Sequence, residues 1–258
     1  MAMSQVRQLA IDRVAGGVRT TAMDRVVVEA PLALRAQGVA LATIMRTPGQ
    51  DLELVRGLLH AESVPHGALV QTDDDAVDVV MDATAFTPRN LVANAACGVC
   101  GRVDVADLER NAPPATAAWR MTSEVLAALP ARLHSAQRIF ADTGGLHASA
   151  LFTAEGELVA AREDVGRHNA VDKLVGWALS QNLDPSMHAL LLSGRAGYEL
   201  LQKAIRFGVP IVASVSAPSS LAIDLAQRFH VTLAGFVRDG TCNLYTHGWR
   251  IACSPATC

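Results

Sequence analysis

Aromatic residues are scarce in this 258-residue chain: they make up 4% of it, although half of the residues are hydrophobic. A core with so few rings must be built from Ala, Val, Leu and Ile. That balance suits a buried sheet covered by helices better than an aromatic-rich sandwich. Strong charge is also lacking. A formal net charge of -3 gives no basic surface for binding along a nucleic-acid backbone. No apolar run approaches the ~18 residues of a membrane span, and the opening M-A-M-S-Q-V-R has no uninterrupted apolar segment of the kind a signal peptide carries. The five cysteines are odd in number and too sparse for a disulfide framework, so a reduced, cytoplasmic setting is expected.

The length fits one substantial domain or two small ones. Residues 1–23 carry weak periodicity and a Gly16-Gly17 pair and read as a lead-in. R-V-V-V-E-A-P-L-A-L-R and V-A-L-A-T-I-M-R read as strands around a Gln37-Gly38 turn, followed by a helix for which Asp51 is the expected N-cap. Asp73-Asp74-Asp75 reads as a solvated turn. The best internal boundary is A-P-P-A-T at 112–116. It separates a β-rich N-terminal subdomain, 24–116, from an α/β core, 117–252, with a tail over 253–258.

The last hundred residues are the most legible. H-A-L-L-L-S-G, P-I-V-A-S-V-S and V-T-L-A-G-F-V read as strands alternating with helices, which implies crossovers and a mostly parallel central sheet flanked by helices. In such a sheet the loops after the strands gather on one edge, where ligands bind. Those loops contain Ser193, Gly194 and Arg195; Ser219; and the run Phe236, Val237, Arg238, Asp239, Gly240 and Thr241. Two of them feed helix N-termini, whose free N–H groups attract anions, and Arg195 and Arg238 add charge-assisted contacts. A phosphate-bearing ligand is the expectation, against the plainer reading that Gly and Ser are good turn formers.

A-C-G-V-C-G places Cys97 and Cys100 two residues apart on a predicted loop. Zinc normally takes four ligands, and no second C-x-x-C or H-x-x-H accompanies the pair, so no metal site is expected. A redox dithiol fits the spacing, but the motif does not sit between a strand and a helix as in thioredoxin-like proteins. The third use is sulfur carriage, in which one thiolate accepts a sulfane sulfur and later releases it. Flanking glycines leave both sulfurs uncrowded.

C-G-V-C-G, M-R-T-P-G, T-G-G-L-H, R-E-D-V-G-R-H-N-A-V-D-K, L-S-G-R-A and S-A-P-S-S-L-A occur in the order found in the FdhD/NarQ family, which the chain resembles over roughly residues 25 to 250. The resemblance implies a formate dehydrogenase accessory sulfurtransferase. It would take sulfur from a cysteine desulfurase as a persulfide on Cys97, with Cys100 assisting. The acceptor would be a molybdenum bis(molybdopterin guanine dinucleotide) cofactor, bound as substrate or cargo before it enters formate dehydrogenase. The resemblance also implies a cytidine-deaminase-like core without the deaminase zinc, a homodimer, and cofactor binding at 236–241. A cofactor chaperone that never touches sulfur and a dithiol oxidoreductase are the rival readings.

Other polar residues have structural expectations of their own. His168 and Asn169 are candidates to cap a helix starting near Gly166 or to face the cofactor. His147 reads as a packed strand histidine rather than a proton carrier. Arg167 and Asp164 are expected to pair across a helix turn, and Lys173 and Lys203 to lie on solvated faces.

Overall fold

A computed structural model describes residues 3–81, 92–93, 108 and 112–253 of the chain. Its first element is a long antiparallel hairpin, β1 (Val6–Ala15) and β2 (Val18–Val27), turning at Gly16-Gly17 with both glycines at positive φ. The segment expected as a lead-in therefore pairs with the start of what read as the first core strand. β3 (Ala30–Ala36), β4 (Val39–Arg46), β5 (Leu69–Asp73), β6 (Ala76–Val79) and β7 (Val92–Ala93) form a sheet in the order β5-β6-β3-β4-β7. Helix α1 (Asp51–Ala61) covers it, packing Leu54, Val55, Leu58 and Leu59 against Leu32, Leu34, Ile44 and Val77. Its N-cap is Gln50, which makes no side-chain cap bond. Asp51 instead is the first helical residue and pairs with the buried Arg46.

The second sheet is built from β9 (His147–Phe152), β10 (Leu158–Asp164), β11 (Ala189–Leu192), β12 (Ile211–Ser214), β13 (Thr232–Arg238) and β14 (Thr241–Thr246). Its order is β10-β9-β11-β12-β13-β14. Only β11–β12 and β12–β13 are parallel; the other three pairings are antiparallel. The sheet is mixed, not mostly parallel, because a hairpin closes each side. One of these was legible in the sequence, and the other turns on Asp239-Gly240.

Alternation along the strands serves two cores. Leu151, Leu190, Leu192, Val212 and Leu233 face α4 (Arg167–Ser180), α5 (Tyr198–Phe207) and α6 (Ser220–Arg228). Ala150, Phe152, Leu191, Ala213 and Val237 face α2 (Ser123–Ala136), which contributes Leu126, Leu129 and Leu133. A short β8 (Met121–Thr122) pairs with β15 (Ile251–Ala252) beside α2, and α3 (Arg138–Thr143) follows it. The result is a three-layer α/β arrangement.

The two sheets are joined by an unusually close contact between α1 and α4. A Cβ placed on Gly57 would strike the carbonyl oxygen of Asp172 and lie 2.8 Å from its Cα. One on Gly176 would strike the carbonyl oxygen of Glu53 and lie 2.9 Å from the nitrogen of Gly57. Two glycines thus let the helix backbones touch, which lateral side chains would prevent.

Candidate functional site

The twelve-residue block R-E-D-V-G-R-H-N-A-V-D-K runs from the end of β10 into α4, and most of its polar groups are spent on holding the molecule together. Arg162 pairs with Glu53 of α1 through both nitrogens, at 2.6 and 2.9 Å. Glu163 accepts from the amides of Ile139 and Phe140 and so caps α3 from outside. Asp164 is fully buried. One of its oxygens accepts from the Thr47 amide and pairs with Lys173 at 2.8 Å; the other accepts from the Gly166 amide and the Asn169 side chain. Asn169 also donates to the Met45 carbonyl, and Lys173 to that of Thr47.

Thr47 returns a bond, its hydroxyl accepting from the Val165 amide. The M-R-T-P-G and R-E-D-V-G motifs therefore dock on each other. This overturns three expectations. Asp164 pairs with Lys173, not Arg167; Lys173 is wholly buried; and Lys203 is tied to buried Asp172 at 2.6 Å. Asn169 caps nothing, and the N-cap of α4 is Gly166, without a side-chain bond. Burial is the common cause: these charges sit where the two halves close, and a buried charge without a partner is costly.

His168 is 5% exposed and lies beside α5, its Nε2 3.2 Å from Glu199 but without hydrogen-bond alignment at either ring nitrogen. Burial, reinforced by Lys203, Arg167 and His147, pushes its pKa down to about 3, so the ring is neutral at pH 7. His147, first residue of β9, is half-buried, and burial followed by the charge of Arg167 lowers its pKa too. Desolvation raises Asp172 to about 6 against the pull of Lys203.

The three predicted ligand loops do come together. The Ala196 amide donates to the Ala217 carbonyl, and Ser219 donates back to Ala196; Phe236 donates to Ser216. Ser193 and Gly194 lie beside His147, because Ser193 donates its amide to Ala148 and accepts from it through Oγ at 2.8 Å. Ser219 caps α6, accepting from Ala222. Arg195 is exposed, as are Arg238, Asp239 and Gly240.

The segment 236–241 is not a loop feeding a helix but a tight hairpin. Asp239 and Gly240 both have positive φ, the two-residue turn that joins twisted strands, and Arg238 pairs with Thr241. The Asp-Gly dipeptide carried that signal in the sequence. Phe236 sits at a bulge with φ 53, a strained conformation for a bulky residue, and its ring lies under the Arg238 guanidinium at 5.7 Å. Val237 differs from its neighbours: its side chain is fully buried in the core under α2. Arg167, Arg195 and Arg238 have no carboxylate partner among the described residues. Cys97 and Cys100 lie outside the described residues.

Sequence reasoning missed a cavity of about 620 Å³ next to these loops, lined by α2, α3, His147, Ser193 and Val215.

A mixed sheet with helices on both faces, whose family-like motifs knit two sheets and line one edge, is the frame on which the comparisons with known proteins fall. The FdhD/NarQ family model matches residues 27–252, and the chain belongs to that family. A protein of Streptomyces avermitilis named sulfur carrier protein FdhD is 45% identical, the match covering 95% of each chain. One of the same name from Sulfolobus acidocaldarius is 42% identical over 96% of this chain and 99% of its own. A crystal structure described as a formate dehydrogenase accessory protein of Desulfotalea psychrophila shares the fold, with a TM-score of 0.79 at 22% identity, covering 96% of this chain and all of that one. Among the described residues no helix is long and apolar enough to cross a membrane.

Proposed function

We propose that the protein carries sulfur for formate dehydrogenase maturation, acting as a cytoplasmic sulfurtransferase between a cysteine desulfurase and a molybdenum bis(molybdopterin guanine dinucleotide) cofactor. The observation that carries this reading is that relatives named sulfur carrier proteins match the chain nearly end to end, while the chain has the paired thiols of C-G-V-C. In the first step the Cys97 thiolate attacks the sulfane sulfur of the desulfurase persulfide. A new S–S bond forms on Cys97, and the desulfurase cysteine leaves as thiolate. In the second, the Cys100 thiolate attacks Sγ of Cys97, a Cys97–Cys100 disulfide forms, and hydrosulfide leaves toward the cofactor. The two cysteines supply the two electrons that turn sulfane sulfur into sulfide, and a cellular dithiol reduces the pair again.

The cofactor is cargo on this reading, and its phosphates lie along the edge made by Ser193–Gly197, Ser216–Ser220 and the 236–241 hairpin. Three arginines without carboxylate partners among the described residues, and two helices with glycine N-caps at this edge, support that placement. A deaminase-like core and a homodimer belong to the same reading. Intact-mass spectrometry after incubation with a desulfurase and cysteine tests it. One added sulfur atom on the parent, absent from Cys97→Ala, is expected; an unmodified parent removes the sulfurtransferase reading.

A further inference from the structure

The sulfur-carrier reading uses Cys97 and Cys100 and leaves the other cysteines of the chain without a part. Two of these, Cys242 and Cys253, are free thiols, and the fold brings them to one place. Cys242 is the second residue of β14, directly after the 236–241 hairpin, and is half-buried. It packs on the core under α2, the same core that holds Val237 of β13 and Ile251 of β15. The chain leaves β14, turns through Gly248–Arg250 and returns to that core along β15. Cys253 follows directly and is exposed.

The two thiols also feel each other. Burial raises the pKa of Cys242, and the charge of Cys253 raises it further. Charges are screened over roughly 10 Å in salt water, so this influence is that of a near neighbour. Their surroundings suit different steps of thiol–disulfide exchange, in which a thiolate attacks and access decides which sulfur goes first. Cys253 is open to a partner in solution. Cys242 is sheltered, and its thiol is held protonated while Cys253 is charged. Once Cys253 is in a mixed disulfide its charge is gone, and Cys242 ionises more readily.

We propose that Cys242 and Cys253 are a second dithiol, which closes into a reversible disulfide on reaction with an oxidised low-molecular-weight thiol. The Cys253 thiolate attacks one sulfur of that small disulfide; a mixed disulfide forms and one small thiolate leaves. Cys242 loses its proton to solvent and attacks Sγ of Cys253; the bond between the two cysteines forms and the second small thiolate leaves. The pair gives up two electrons and the small disulfide takes them. Closure needs Cα atoms within roughly 7 Å. Thr241 and Asn243 hold β14 to β13 on either side of Cys242, whereas Cys253 lies beyond the β8–β15 ladder and is the residue that moves in. The bond ties the end of β15 to the strand that carries the 236–241 hairpin.

Incubation of the full chain with glutathione disulfide, then alkylation of the remaining thiols, tryptic digestion and mass spectrometry, tests this. Cleavage after Arg238 and Arg250 puts Cys242 in one peptide and Cys253, with Cys258, in another, while Cys97 and Cys100 share a third. The result is therefore independent of the sulfur-carrier reading. The first two peptides are expected to be joined in the parent and in Cys258→Ser, separate in Cys253→Ser, and separated again by dithiothreitol. Amide hydrogen exchange at 241–246 is expected to slow in the oxidised parent. Cys253 is exposed, so Cys253→Ser is expected to melt with the parent, and its failure to join then reports the missing thiol and not unfolding. Cys242 alkylated in the treated parent, a peptide of Cys242 joined to that of Cys97 and Cys100, or peptides still joined in Cys253→Ser overturns the proposal.

Discussion

Replacing Gly176 by Ala is the sharpest test of how the two sheets are joined. Helix propensity alone predicts a gain of about 1 kcal/mol, because Gly costs that much relative to Ala in a helix interior. The packing predicts the opposite sign. The added methyl would overlap the Glu53 carbonyl oxygen, a backbone atom that cannot swing aside, and α1 would have to retreat by more than 1 Å (on the order of the overlap) to restore ordinary contact. Overpacking of this kind costs roughly 1–3 kcal/mol. Moving α1 also pulls on the Arg162–Glu53 pair, at 2.6 Å. It strains the bonds of Thr47 to Asp164, Val165 and Lys173 as well, which lie just ahead of α1 in the chain. Each bond left unmade in that buried cluster adds about 1–3 kcal/mol. With one such bond lost, a net loss of about 1–5 kcal/mol is expected once the propensity gain is subtracted. Urea denaturation of the full chain measures it. Gly197→Ala is the control, since a Cβ there meets nothing within 4 Å and its φ is not positive. A Gly176→Ala protein as stable as the parent would refute the close helix contact.

Cys97→Ala is expected to abolish formate dehydrogenase maturation while the melting temperature and GDP binding stay at parental values; maturation at the parental rate would contradict the carrier role. On the proposed placement of the phosphates, Arg195→Ala and Arg238→Ala each remove a charge-assisted contact worth about 1.5–3 kcal/mol, so titration calorimetry should show GDP binding weakened roughly 10- to 150-fold. Buried His168 makes stability fall in acid. Its folded pKa of about 3 lies below the ordinary 6.5, so the unfolded chain binds the extra proton as pH drops through that window. The loss comes to about 2 kcal/mol by pH 5. Asp172, raised to about 6 by burial, acts in the opposite direction. The test is therefore the difference between parent and His168→Gln across pH 4 to 7 (on the order of the window between the two values), and a difference that does not change with pH would count against a neutral buried ring.

Elements governed by local pattern were readable in advance. The alternation around α5, α6 and β11 to β13 was plain, and of Ser219 and Ser220, the two serines that the sequence offered as cap of α6, Ser219 is the one that caps it. So was the gathering of three loops at one edge, which follows from parallel neighbours in the middle of the sheet. The antiparallel flank at β14 was missed because Asp239-Gly240 was read for its chemistry and not for its turn geometry. Lys173 looked like a surface lysine because nothing near it in sequence reveals that α1 covers α4. The cavity was invisible for a related reason: it is assembled from residues more than fifty positions apart, on the order of the separation between α2 and Ser193 that topology alone bridges.

Within the R-E-D-V-G-R-H-N-A-V-D-K block most polar side chains are structural. Arg162, Glu163, Asp164, Asn169, Asp172 and Lys173 all make structural bonds, to α1, α3, α5 and the Thr47 turn. What they fix in place is the entry to α4, where Arg167 has no carboxylate partner among the described residues and His168 sits neutral behind it. Asp164 is central to this: by accepting from Gly166 and Thr47 together it sets the turn into α4 and ties it to the loop before α1. A carboxylate holding four partners in a buried site cannot also act as an acid or base, because releasing it would leave Lys173 charged in the core without its counter-charge. The motif identifies the protein by its architecture. Its charged residues align the edge on which the ligand is proposed to lie, and on the proposed reading the chemistry itself falls to Cys97 and Cys100 elsewhere in the chain.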